Sequence, residues 1–226
     1  MAEAAATGSV AARTPSRTQF LLRRLHSLSG IVPVGGYLLF HWFENLKALS
    51  GPDAYNALIR EIGQLAPAPY FYVIEWSVIL LPLLFHALFG FMIWFTGTPN
   101  VGRYPYRRNW LYALQRWTGA IAFAFIVFHF LQWRWTSIAR GSAITYGEVS
   151  HDLGNSAVLA WYVVGNVAAA FHLGNGLYGF AWSWGLAVSQ RARNAMEYVG
   201  WGAFVAMSIL SVNILWSLHR AALAAM

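Results

Sequence analysis

The chain has 226 residues, of which 58% are hydrophobic and 10% charged, and its net charge is +7. A soluble domain usually carries about 25% charge, so these residues cannot cover a globular surface in water. The apolar residues come in long runs instead, and a membrane-spanning helix needs roughly 20 of them. The basic residues sit in short segments between those runs, which speaks for membrane topology rather than nucleic-acid binding. Twelve Trp, eleven Tyr and fifteen Phe suit interfacial belts and the lining of a cofactor pocket.

Residues 1–18 are rich in Ala, Ser, Thr and Arg and lack a signal-type apolar core. They read as a flexible cytoplasmic tail, with a membrane domain over 19–226. Five spans follow. The first is expected from about Leu28 to Leu49 and the second from about Phe71 to Phe95. The third covers about Leu111 to Trp135, the fourth about Ser156 to Leu186 and the fifth about Tyr198 to Leu218. The connection Gly51–Pro69 holds Pro52, Pro67 and Pro69, and Gly97–Asn109 holds Pro99, Gly102 and Pro105. Both read as loops. Pro82 is expected to kink the second span.

Charge orients the spans. Arg13, Arg17, Arg23 and Arg24 precede the first, Arg103, Arg107 and Arg108 precede the third, and Arg191 and Arg193 precede the fifth. The first and third connections carry Asp53, Glu61, Glu148 and Asp152. The Lys/Arg excess predicts a cytoplasmic N-terminus and a C-terminus outside.

That orientation gives each intramembrane histidine a depth at about 1.5 Å per residue. His41 and His129, on outward-running spans, lie roughly 20 and 27 Å from the cytoplasmic edge. His86 and His172 run inward and lie roughly 22–24 Å from the outer edge. Two depth-matched pairs on four helices result, an outer His41 with His129 and an inner His86 with His172. This is the arrangement a bis-histidine haem requires, because its iron takes one imidazole on each face of the porphyrin. With no cysteine in the chain, disulfides, iron–sulfur clusters, thiolate ligation and covalent haem attachment are excluded here. Two b-type haems are therefore expected, each iron (the metal) held by one pair. Proton relay or interhelical hydrogen bonding is the alternative use of such histidines.

Glycines support the haem reading. Gly90 follows His86 and Gly176 follows His172, both as H-x3-G, while Gly30 precedes His41 and Gly119 precedes His129 by eleven and ten residues. Spans one and two thus resemble spans three and four, a weak internal repeat. Glycine on those faces would let a flat macrocycle approach the backbone.

Longer motifs carry a family resemblance. Arg23-Arg24-Leu25-His26-Ser27 with Gly30, Pro33 and His41 resembles the first helix of the cytochrome b558 anchor of succinate dehydrogenase. Leu81-Pro82-Leu83 with His86-Ala87 and Gly90 resembles its second. Asn109-Trp110, Leu114-Gln115-Arg116 and Thr118-Gly119 resemble the start of its third, and Phe171-His172, Asn175-Gly176-Leu177, Phe180-Ala181 and Trp184-Gly185 its fourth. The likeness runs from about Arg23 to Arg193. It implies an all-α integral membrane fold of five transmembrane helices, with haems within the bundle of helices one to four. It assigns His41 and His129 to a distal low-potential haem, and His86 and His172 to a proximal high-potential one. It further implies a flavoprotein that oxidises succinate, an iron–sulfur partner, and delivery of electrons to menaquinone or another quinone in the bacterial cytoplasmic membrane. A di-haem anchor of a quinol:fumarate reductase is the nearest alternative, and a haem-free transport or structural membrane protein is the alternative of another class. Related fumarate reductases place Glu two residues before the fourth-helix ligand, where this chain has Ala170.

Ser27 and Gln115, with Tyr112 and Trp117, sit where they could bind propionates or quinone, or simply anchor helix ends. Arg23, Arg24 and Arg116 could pair with propionates, though topology accounts for them. Glu75 could serve proton exchange with quinone. His151 and His219 fall outside the ligand set, as does His26.

Overall fold

The computed structural model describes residues 16–65 and 68–226, with the side chains of Ala68 and Pro69 left aside. Most of the tail expected over 1–18 lies outside the described residues, while Ser16 caps the first helix through a capping box with Gln19. Every regular element among the described residues is helical.

Helix α1 covers 17–45: Arg17–Ser29, a π turn Gly30–Gly35, then Gly36–Asn45. Pro33 lies inside the π turn. It has no N–H to donate, so the helical ladder is relaxed there into a wider turn. Helix α2 is Pro52–Gln64, α3 is Tyr70–Thr96, α4 is Arg107–Arg140, α5 is Tyr146–Leu153, α6 is Ser156–Ser183 and α7 is Gln190–Ala224. Helices α3, α4, α6 and α7 are long and apolar enough to cross a membrane. Helix α1 is not in that set. Gly30, Pro33, Gly35 and Gly36 dilute its apolar run, which ends in His41, Glu44 and Asn45.

One expectation is corrected. The segment after Gly51 is not a loop throughout, because Pro52–Gln64 forms a helix. Proline at the first helical position gives up an N–H that would be unpaired there anyway, and Asp53 suits the positive end of the helix. Ahead of Pro82, the structure places a π turn at Glu75–Leu80.

The four helices that carry His41, His86, His129 and His172 form a ring. Packing runs from α1 to α3, α3 to α4, α4 to α6, and α6 back to α1, with α7 laid mainly against α6. The α6–α7 seam is tight: a Cβ on Gly174 or Gly200 would lie 2.4 or 2.3 Å from the other's carbonyl oxygen. Small residues let membrane helices approach this closely. At the end of the ring bearing α2 and α5, Tyr55, Phe125, Tyr146, Leu153, Tyr162, Ile214 and Leu218 form the main buried cluster. The opposite end holds the start of α1, the 97–106 connection and the start of α7. It is rich in arginine, with Arg107 and Arg108 both paired to Glu197. Helix α3 has no buried residue, and large apolar side chains such as Phe43, Val73, Leu88, Phe95 and Trp216 stand exposed. Such surfaces are stable against lipid, not water.

Candidate functional site: two imidazole pairs across the bundle

Both diagonals of the ring are bridged by histidines. His86 on α3 and His172 on α6 have ring centroids 6.0 Å apart at 88°. His41 on α1 and His129 on α4 lie 5.7 Å apart at 70°. Metal–imidazole bonds run to about 2 Å. Two of them, with the half-widths of two rings, account for a separation near those values. No group of three or more His, Asp or Glu among the described residues is placed to hold a bare ion. Each pair could supply two ligands to an ion and no more.

The backbone fixes the tautomers at the arginine end. His86 Nδ1–H donates to the His26 carbonyl at 2.9 Å, and His172 Nδ1–H donates to the Gln115 carbonyl at 2.9 Å. Each ring keeps its Nε2 lone pair for a ligand, and a carbonyl behind the ring raises its basicity. The two halves match in detail. A Cβ on Gly30 would meet the His86 ring at 2.2 Å, and one on Gly119 the His172 ring at 2.7 Å. Gly90 faces His26, and Gly176 faces Gln115, at 3.2 and 3.6 Å. Thus α1–α3 and α4–α6 repeat one motif, and each imidazole pair takes equivalent residues from the two repeats. The glycines of H-x3-G face these bracing residues, while Gly30 and Gly119 admit the rings themselves.

His41 is more open, its side chain 32% exposed. Its Nδ1 lies 3.3 Å from Glu44, and Asn45 donates to its carbonyl at 2.7 Å. His129 is held by Tyr162, at 3.2 Å from Nδ1. Tyr162 is boxed by Phe125 and Phe128 and is only 4% exposed.

The remaining expected residues separate by role. Gln115 is committed to the protein: it donates to the His172 carbonyl at 3.0 Å and accepts from Asn175 at 2.7 Å. It braces α4 on α6. Ser27 sits half-buried in the turn beside His26. Arg116 lies over the Tyr112 ring at 3.3 Å, with its Nε and Nη2 buried and unpartnered. Trp117 packs edge-on against Trp94 at 4.9 Å. Glu75 is tied to Arg134 by two bonds of 2.5 and 2.6 Å, a bidentate clamp from α3 to α4. Ala170 is fully buried and packs with Trp42, Leu173 and Met207, which leaves no room for a glutamate. His219 donates to the Leu153 carbonyl at 2.8 Å, and His151 is exposed beside Asp152. His26 stacks on His86 at 4.2 Å and 6°.

Sequence reasoning passed over Tyr162, Gln132 and the bracing role of His26. Polar residues a turn from an intramembrane histidine were the available signal: Gln132 lies three residues after His129 on the same helix.

These features define a helical membrane protein with histidines paired across its bundle. Residues 98–212 match the family described as succinate dehydrogenase/fumarate reductase transmembrane subunit. The succinate dehydrogenase cytochrome b558 subunit of Bacillus subtilis (strain 168) is 37% identical over 199 residues, 88% of this chain and 96% of that relative. The chain belongs to the succinate dehydrogenase/fumarate reductase transmembrane subunit family.

Proposed function

We propose that this chain is the cytochrome b anchor of a succinate dehydrogenase, delivering electrons from an iron–sulfur partner to menaquinone or another quinone. Succinate chemistry would lie on a partner flavoprotein. The observation that carries this reading is the pair of diagonal imidazole bridges, His41–His129 and His86–His172. It is supported by the relative named a cytochrome b558 subunit.

Two b haems fit the residues present. At the arginine end, His86 and His172 each offer Nε2 with Nδ1–H already bound. The unpartnered N–H groups of Arg116 suit a propionate carboxylate, and Ser27 is at the same level. At the other end, His41 and His129 would hold the second haem. Haem, when bound, supplies a reversible one-electron iron couple at each level. The chain's own share at the His86–His172 level is to fix both tautomers through backbone carbonyls, and at the other level to hold His129 by Tyr162. Helix α1 is the fifth span in this reading: at about 1.5 Å per residue it is long enough to cross, and it closes the ring. The Lys/Arg distribution puts the arginine end, with the N-terminus, in the bacterial cytoplasm. The His86–His172 level then faces the iron–sulfur partner, and the His41–His129 level lies toward the outside. If quinone reacts at that outer level, the membrane potential bears on the reaction at about 2.3 kcal/mol per charge per 100 mV.

Reduced-minus-oxidised spectra of the purified complex, with succinate and with dithionite, test the assignment. Two b-type centres are expected in the wild type, and His172→Leu should remove about half of the absorbance. A wild type with no b-type band, or a His172→Leu protein with its full haem content, would sink it. Comparing succinate oxidation with fumarate reduction in the same complex fixes the direction.

A further inference from the structure

Behind His129 runs a chain of side chains that ends at the surface. Tyr162 OH lies 3.2 Å from His129 Nδ1 and 2.8 Å from Gln132 Oε1, and it also receives the indole N–H of Trp133. Gln132 Nε2 donates to Asp152 Oδ2 at 2.9 Å. Asp152 has a 41% exposed side chain. It lines an open depression together with Gln132, Thr136, Arg140, Glu148 and His151.

Counting protons fixes the direction of every bond. An ionised Asp152 only accepts, so the Gln132 amide must turn its NH2 toward it and its oxygen toward Tyr162. A Tyr hydroxyl has one proton, and Gln132 Oε1 takes it. The two acceptor positions of the hydroxyl are then filled by Trp133 and by His129 Nδ1–H. His129 to Tyr162 to Gln132 to Asp152 is therefore a head-to-tail series with every donor aimed at the carboxylate. Such a series polarises cooperatively in a low-dielectric interior. It cannot conduct protons readily, because an amide sits in the middle. What it transmits is charge: the carboxylate draws the Nδ1 proton of His129 outward and makes the ring more imidazolate-like. Among the described residues the other level has no such tail: His86 and His172 rest on neutral carbonyls.

We propose that Tyr162 is a positioning residue that fixes the His129 tautomer and, through Gln132 and Asp152, lowers the reduction potential of the centre His129 serves. The inference rests on His129 being an axial ligand. An electron-rich imidazole favours the ferric state, so the two centres would differ in potential partly because one has this anionic tail and the other does not.

The experiment is a spectroelectrochemical titration of the purified complex, with low-spin ferric EPR as a second readout. His129→Leu first identifies which b-type couple belongs to this site. Tyr162→Phe should then move that couple to a higher potential and alter its EPR signal while the other couple stays fixed. Asp152→Asn keeps the acceptor oxygen for Gln132 and removes only the charge, and it should shift the same couple upward by less. If Tyr162→Phe loses the centre altogether, Asp152→Asn at the surface decides. The inference is overturned if that couple does not move in either variant, or if both couples move together. A wild type lacking two b centres, or a His129→Leu protein that keeps both, would instead refute the haem assignment itself.

Discussion

A single methyl group at position 30 would collide with a histidine. The Cβ of an alanine there would stand 2.2 Å from His86 Cε1 and 2.6 Å from Nδ1. The ring must swing away and give up its bond to the His26 carbonyl, and overpacking of this kind costs about 1–3 kcal/mol. Gly30→Ala should therefore lower the thermal midpoint of the protein and deplete one b-type centre. Gly36, with nothing within 4 Å of its would-be Cβ, is the control. Alanine there removes a flexible residue from a helix, and should be neutral or stabilising by about 0.5–1 kcal/mol. Heat denaturation followed by circular dichroism, with haem content measured alongside, compares the two. At this scale the sequence was informative about which rings meet and silent on why they stay put. Depth along a helix can be counted, so His41 with His129 and His86 with His172 were legible as neighbours. Only at His41, whose Nδ1 lies beside Glu44 three residues on, could the partner of the other ring nitrogen be counted; for His86 and His172 it is a backbone carbonyl on the next helix, and for His129 it is the Tyr162 hydroxyl, distant in sequence.

Long apolar runs marked α3, α4, α6 and α7 plainly, since only the bilayer favours so many uninterrupted turns. Their ends were less visible, because interfacial arginines and tryptophans continue a helix beyond its apolar stretch: α7 begins at Gln190 and ends at Ala224, well outside Tyr198–Leu218. The short surface helices were missed for a different reason. Pro52 was read as a breaker, whereas at a first turn it starts a helix. Helix α5 is held at its start by reciprocal bonds between Thr145 and Glu148. Arg140, then the Thr145 N–H and hydroxyl, draw the Glu148 pKa down to about 2. A lowered carboxylate pKa contributes stability above its ordinary value of 4.5, and this is lost as pH falls toward about 2. Amide protection factors at Tyr146–Glu148, taken relative to the intrinsic exchange rate at each pH, should fall as pH drops across that window, and Glu148→Gln should flatten the response. A wild type whose protection factors there stay constant over this range would show that the cap contributes nothing to α5.

For the molecule as a whole, the absence of cysteine makes orientation directly measurable. Arg103 and Ser142 are exposed and sit at opposite ends of the ring. In intact cells, a membrane-impermeant maleimide should label Ser142→Cys, and should reach Arg103→Cys only after the membrane is opened. The reverse pattern would invert the proposed topology. Legibility at this scale was partial: the number of apolar runs and their charge asymmetry can be read in one dimension, but a ring closed by α1 and shielded by α7 depends on glycine contacts such as Gly174 with Gly200.

Each imidazole pair draws one member from the 17–96 half and one from the 107–183 half, so neither half owns a complete site. A ligand gripped by both rings binds only when the halves are docked, and its binding free energy is added to the docking equilibrium. Such a ligand is a cross-tie: supply of the cofactor, rather than helix insertion alone, would set how much of this chain persists as one body in the membrane.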